Sequence, residues 1–237
     1  MRLIICIIGF FLALSSFAKQ RLVIGIIPYN PPFSSLTDNT HFSGFEISLI
    51  DEICKRINAD CTYKKQTFSE FPSSLDNRTI DLAVGTIIIN EDRKQGKAFS
   101  LPYLVSRGSI IVNNNKSKSI YGLIGKRVAT MQGSLYEKEL HKWLGNDAVY
   151  LTYPDIQSMV DALAKGETDA VIVDSKVGRF IITQFERFAL VKETINTGNG
   201  YGIMARQSDQ TLINQINKAL ISMQEDGTYA KIFRSFF

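Results

Sequence analysis

The chain has 237 residues, 45% of them apolar and 21% charged, and carries a formal net charge of +4. These values are ordinary for a globular protein and leave enough chain for two modest hydrophobic cores. The charge is mild and no dense run of lysine or arginine occurs, which argues against a nucleic-acid partner.

Met1-Arg2 is a short basic start, followed by an apolar run over residues 3–14 that is too short to span a bilayer comfortably. Ser16-Phe17-Ala18 then supplies the small residues of a cleavage site. The pattern reads as a secretory signal peptide (residues 1–18) cut after Ala18, and the short run disfavours an uncleaved anchor. Cys6 lies early in the apolar run and not at the cleavage point, which argues against a lipid anchor.

Residues 22–27 read as a strand and 45–57 as a helix, because Phe45, Leu49, Ile50, Ile53, Cys54 and Ile57 share one helical face. Asn58-Ala59 ends that helix and 61–66 reads as the next strand. Cys54 and Cys61 therefore flank a helix-to-strand joint. They are either a disulfide or two buried thiols, and export to an oxidising compartment favours the disulfide. It would close a short loop worth ~2–3 kcal/mol on the chain-entropy model. The pair lacks C-x-x-C spacing, so the bridge reads as structural.

Residues 68–76 read as a short helix. The run Ile80-Asp81-Leu82-Ala83-Val84 reads as a buried strand that ends near Gly85, where the backbone can open to a ligand. Beyond it, Thr86 and the amide of Ile88 can donate hydrogen bonds, and Arg93 can clamp a carboxylate through two parallel N–H bonds. Taken alone, the stretch is also consistent with a strand followed by a charged, solvated turn. Further strands are expected over 109–112, 127–131, 149–152, 170–173, 189–191 and 202–205. Helices are expected over 134–144, 156–165, 177–185 and 212–223. This alternation predicts α/β layers with largely parallel sheets, whose ligands sit outside the carboxyl ends of strands. Gly85, Met131 and Asp174 all fall at such ends.

At this point the chain resembles the periplasmic solute-binding proteins of polar amino-acid ABC transporters (family 3), and among them the lysine/arginine/ornithine, histidine and arginine binders. The matching stretches are GIIPYNPPF from Gly25 to Phe33, Gly44-Phe45-Glu46-Ile47, residues 80–93 and Phe99-Ser100-Leu101-Pro102-Tyr103. They continue with Gly125-Lys126-Arg127-Val128, Met131-Gln132-Gly133-Ser134, residues 169–175, Gly200-Tyr201-Gly202-Ile203 and Asp226-Gly227-Thr228-Tyr229. Their order and spacing carry the resemblance. It implies a two-lobed periplasmic binding protein fold of type II, with lobe one formed by 19–106 and a returning segment 200–237, and lobe two by 107–199. The ligand lies in the cleft and hinge closure buries it. The spacing of Cys54 and Cys61 resembles the cationic-amino-acid subgroup.

The resemblance also assigns roles. Arg93 matches the carboxylate-binding arginine, and Gly85 and Thr86 match positions that meet the ligand's ammonium and carboxylate. Ile88 stands where a hydroxyl residue is usual, so only its main-chain contact carries over. Met131 and Ser134-Leu135-Tyr136 precede and open a helix whose free amides suit an anion; threonine is usual at Leu135. Asp174 matches the aspartate that pairs the ammonium, and also reads as a helix N-cap. Phe68 matches an aromatic that stacks on the ligand side chain, and reads equally as a core phenylalanine. Glu46 matches an acid near a cationic head, and reads also as a solvated acid at a helix start. Ile27 replaces an acid and Asn30 an aromatic, with Tyr29 supplying an aromatic one position earlier.

The implied function is capture of a free L-amino acid for an inner-membrane ABC permease, by a monomer in the periplasm. Arginine is expected ahead of lysine, ornithine or histidine. Glutamine is the alternative, because Asn30 and Thr86 could pair a neutral amide. Catalysis is not expected: His41 and His141 are the only histidines, and neither belongs to a nucleophile–base arrangement. No phosphate-binding glycine loop or metal-ligand cluster occurs, so no cofactor or metal is expected. The rival from another class is an exported dehydratase of the same fold, with Glu46 as its candidate acid. A sensory ligand domain is a third reading, set against the lack of a following membrane segment.

Overall fold

The computed structural model describes residues 19–38, 40–116 and 118–237; the expected signal peptide, with Cys6 and the cut after Ala18, lies outside the described residues. In chain order the elements are β1 (Gln20–Ile26), β2 (Tyr29–Asn30), β3 (Ser34–Thr37), β4 (His41–Ser43), α1 (Phe45–Arg56), β5 (Ala59–Lys65), α2 (Phe71–Asp76), β6 (Leu82–Val84), α3 (Glu91–Lys94) and β7 (Lys97–Phe99). There follow β8 (Arg107–Asn113), β9 (Arg127–Met131), α4 (Tyr136–Leu144), β10 (Val149–Tyr153), α5 (Ile156–Lys165), β11 (Ala170–Asp174), α6 (Ser175–Gln184), β12 (Phe188–Asn196), β13 (Met204–Arg206), α7 (Gln210–Glu225) and α8 (Thr228–Arg234).

Two five-stranded sheets organise these elements, in the orders β5-β1-β6-β13-β7 and β10-β9-β11-β8-β12. In each, three strands run parallel, and two more joined by antiparallel pairing complete one side. The parallel strands are apolar on both faces, as covered sheets require: consecutive residues Leu82, Ala83 and Val84 in β6 and Val171, Ile172 and Val173 in β11 are all buried. α1 covers the first sheet with Phe45, Leu49, Ile50, Ile53 and Cys54, the face expected from helical spacing. The Cys54–Cys61 disulfide joins the end of α1 to β5 across a Cα–Cα distance of 6.2 Å.

Each sheet with its helices forms one lobe, and the chain passes between them after β7 and again after β12. The two passages lie side by side: Tyr201 pairs antiparallel with Leu104, and also with Ile88. Main-chain bonds from the Tyr201 amide to the Leu104 carbonyl (2.8 Å) and from the Tyr103 amide to the Tyr201 carbonyl (2.9 Å) hold them together. Ile27, Gly85, Met131 and Asp174 stand at or just past the carboxyl ends of β1, β6, β9 and β11, and Ile27 and Met131 line a common cavity.

Several expected boundaries move for local reasons. The helix expected from residue 134 starts at Tyr136, because Gly133 adopts a left-handed φ of 79° and Ser134 closes a turn onto Met131. The segment 68–76 splits into a 3-10 turn over Phe68–Glu70, closed by a Thr67/Glu70 capping box, and α2. The strand expected over 202–205 pairs only over Met204–Arg206, since Gly202 lies against Ile89. His41 sits in the edge strand β4, and His141 lies on α4, within the helix expected there.

Candidate functional site

Thr86 organises the first-lobe half of the cleft. It follows β6 with a φ of 49°, a left-handed conformation rare for a threonine. Two side chains hold it there: Glu46 Oε1 accepts from the Thr86 amide at 2.7 Å, and Asn30 Nδ2 donates to the Thr86 hydroxyl at 3.2 Å. Glu46 stands in the first turn of α1, fully buried, and also accepts from the Tyr103 hydroxyl of the first crossover. Burial raises the Glu46 carboxyl to about 7, against the lowering effect of the Tyr103 and Thr86 hydrogen bonds, and nearby Asp174 raises it further. A solvated acid at a helix start is thus not what Glu46 is. Asn30 Oδ1 and Glu46 Oε2 have no hydrogen-bond partner among the described residues, although both side chains are buried. Gly85 is required by packing: a Cβ there would lie 2.8 Å from Ile27 and 3.2 Å from Phe71.

Arg93 sits on α3, whose first turn is capped by Asn90 (3.0 Å to the Arg93 amide). Its guanidinium donates to the Ile88 carbonyl at 2.8 Å and, across the cleft, to the Gly133 carbonyl at 2.9 Å. It also stands 5.2 Å from the centroid of Phe68. The face of Phe68 expected to receive a ligand side chain is therefore covered in part by Arg93. Burial lowers the Arg93 pKa to about 10, which leaves it charged at neutral pH. The Ile88–Tyr201 pairing uses the amides of Ile89 and Gly202, so it leaves the Ile88 amide outside the ladder. An exposed Lys138–Asp92 pair at 3.2 Å also joins the lobes and contributes little.

Asp174 ends β11 and caps α6: its Oδ1 accepts from the amides of Lys176 (2.6 Å) and Val177 (3.2 Å). Its Oδ2 accepts from the Tyr201 hydroxyl at 2.6 Å, and the Tyr136 hydroxyl lies 3.0 Å from that of Tyr201. Burial raises the pKa of Asp174, against the lowering effect of these bonds. The Tyr201 and Tyr136 hydroxyls are held neutral mainly by burial. Ser134 Oγ is buried and has no partner among the described residues, and Leu135 packs against the core.

Phe68 borders two cavities between the lobes. One, of about 430 Å³, is lined by Arg93, Asp92, Ile87, Gln132 and Gly133; the other, of about 450 Å³, by Ile27, Tyr29, Gln66, Met131 and Gln157. The structure thus brings Arg93 and Phe68 to one cavity, Tyr29, Met131 and Phe68 to the other, Asn30, Glu46 and Thr86 into one cluster, and Tyr136 and Asp174 into another. Tyr103, Tyr201 and Gly133 escaped the sequence reading as site residues. All three lie in the stretches that carry the resemblance, but hydrogen bonds across the crossover leave no local pattern in sequence. Among the described residues no group of three or more histidine, cysteine, aspartate or glutamate side chains could hold a metal.

Comparison with known proteins gives a consistent result. The family model for bacterial extracellular solute-binding proteins, family 3, matches residues 22–237. The chain is 30% identical over 220 residues to the arginine-binding periplasmic protein of Mannheimia haemolytica, covering 91% of each. It is similar to the crystal structure of an arginine 3rd transport system periplasmic binding protein from Legionella pneumophila (TM-score 0.86, 30% identity, 92% of this chain and 100% of that one). It is similar too to an ancestral arginine-binding protein bound to glutamine (TM-score 0.86, 30% identity, 93% and 99% covered). The fold is that of the two-lobed periplasmic amino-acid binding proteins, type II.

Proposed function

The chain belongs to the bacterial extracellular solute-binding proteins, family 3, and on that premise we propose that it captures a free L-amino acid, arginine by preference, in the periplasm. It does so as a monomer exported by a signal peptide cut after Ala18, and delivers the ligand unchanged to an inner-membrane ABC permease. Lobe one is 19–106 with 200–237, lobe two is 107–199, and closure of the hinge seals the ligand between Arg93, Thr86 and the Ile88 amide on one side and Met131, Ser134, Leu135, Tyr136 and Asp174 on the other.

The observation that carries the choice of ligand is the charge of the cleft. Two buried carboxyls, Glu46 and Asp174, lie near enough for Asp174 to raise the Glu46 pKa, and the half-buried guanidinium of Arg93 bonds to the Ile88 and Gly133 carbonyls and to neither acid. A zwitterion with a neutral side chain leaves the second carboxyl without a counter-charge, whereas a cationic amino acid supplies one in a site where low dielectric strengthens the pairing. Relatives with arginine in their names support the same reading. Glutamine is the second reading, favoured by the unpartnered Asn30 Oδ1, which can accept from a neutral amide. Catalysis is disfavoured by the placement of Glu46: this acid, raised by burial to about 7, lies fully buried with one oxygen bonded to the Thr86 amide and the Tyr103 hydroxyl. A thermal-shift screen of the mature protein against free amino acids tests the reading. A ligand at ~100 times its dissociation constant stabilises by about 2.7 kcal/mol, and the largest shift should come from arginine.

A further inference from the structure

Lys176 stands where a helix disfavours a cation. It lies in the first turn of α6, at the positive end of the helix dipole. What its ammonium meets is aromatic: it lies 3.9 Å from the ring centroid of Phe237 and 5.0 Å from that of Phe233. Burial lowers the Lys176 pKa, against the raising effect of Asp174, and Arg179 lowers it further. The ammonium is thus partly desolvated, the condition that strengthens attraction to an aromatic face.

The two rings belong to the other lobe. α6 packs on β8, β11 and β12, whereas α8 packs on α1 and α7. Phe237 follows α8 and is wedged among Phe233, Phe45 and Phe33, at centroid separations of 5.0, 5.2 and 5.5 Å. Phe33 and Phe45 are fully buried, so the platform under Lys176 is anchored in the first-lobe core. Two other contacts between the lobes differ in kind. The Arg93 bond to the Gly133 carbonyl uses the guanidinium that a ligand carboxylate would claim, and the Lys138–Asp92 pair is exposed. Lys176, Phe233 and Phe237 line neither cavity beside Phe68, so a ligand can enter without displacing them.

We propose that Lys176, seated on Phe237 and Phe233, is a latch that holds the two lobes together before a ligand arrives. It is a positioning residue: it raises affinity by raising the fraction of molecules already closed, since apparent affinity scales with the competent fraction. The inference rests on the reading of the cleft as one that closes by a hinge, and not on which amino acid it takes.

The test is Lys176→Met, which keeps a flexible apolar stem and a good helix former while removing the charge. Lys138→Met is the control for loss of a charge between the lobes. The mature proteins are compared by small-angle X-ray scattering without ligand and at saturation, and by calorimetry with arginine and with glutamine. In Lys176→Met the ligand-free closed-to-open ratio should fall about 2- to 30-fold. The readout is a larger ligand-free radius of gyration, a loss of affinity up to that factor, or both, with the saturated radius at its wild-type value. Arginine and glutamine should lose affinity equally, because the latch acts on closure and not on the side-chain pocket. Lys138→Met should change neither readout measurably. Phe237→Leu should reproduce Lys176→Met, and the double variant should add nothing further; if Phe237→Leu does not fold, Lys176→Met alone decides. A Lys176→Met protein with wild-type ligand-free radius and wild-type affinities would overturn the inference. Unequal losses for the two ligands would overturn it too, and would make Lys176 part of the pocket. Should neither ligand bind the wild type, the amino-acid reading fails, and an unchanged ligand-free radius in Lys176→Met then removes the latch on its own.

Discussion

Replacing Glu46 by glutamine keeps the side chain's shape and removes its titration. In the folded protein burial lifts the Glu46 carboxyl from 4.5 to about 7, with Asp174 adding to the rise and Tyr103 and the Thr86 amide opposing it. The folded state therefore holds a proton that the unfolded chain releases. The stability this confers is fully present below the unfolded pKa and is lost as pH rises through the folded one. A tenfold change in a protonation equilibrium corresponds to about 1.4 kcal/mol, so the loss across this window is about 3 kcal/mol. Urea unfolding of wild type and Glu46→Gln, measured between about pH 4.5 and about pH 8, isolates this group from the other acids. The wild type should weaken relative to the variant by that amount as pH rises. Parallel pH profiles for the two proteins would refute the reasoning, because Glu46 would then be ionised throughout. The same group reports on the ligand: a bound cation draws the carboxyl pKa down, so arginine binding near pH 6 should release a proton to the buffer and glutamine binding should not.

Arg93→Lys should fold normally but lose ~2–5 kcal/mol of ligand affinity by calorimetry, since an ammonium cannot replace the planar fork. Replacing Cys54 and Cys61 by serine should cost ~2–3 kcal/mol in denaturant unfolding and leave affinity unchanged, because the bridge ties α1 to β5 away from the cleft. Gly44→Ala should lower the melting temperature markedly. Gly44 has a φ of 131°, and a Cβ there would collide with the Phe33 carbonyl.

Period and spacing made the layered core legible. The apolar face of α1 and the strand Arg127–Met131 were set by residues a short distance apart in the chain, and the structure has them where their periodicity put them. The hairpin sheet of β2, β3 and β4 left no comparable pattern, since its strands are only two to four residues long. At the site, Asp174 stood out because strand ends in such sheets face the cleft, and Arg93 because its planar fork follows such an end and matches the resemblance. Their actual partners did not. Gly133, Tyr201 and Ile88 meet them through carbonyls and a phenol delivered by segments 5 to 40 residues away. Glu46 read equally as an acid near a ligand's cationic head and as a solvated acid at a helix start; its burial was not legible, because Tyr103, which bonds to it, lies 57 residues on.

The central claim is that the cleft holds a cationic amino acid, and competition tests it most directly. With labelled arginine bound to the mature protein, unlabelled lysine should displace it better than glutamine does, and the arginine recovered should be chemically unchanged. Glutamine displacing arginine better than lysine, or a chemically altered arginine, would contradict the account.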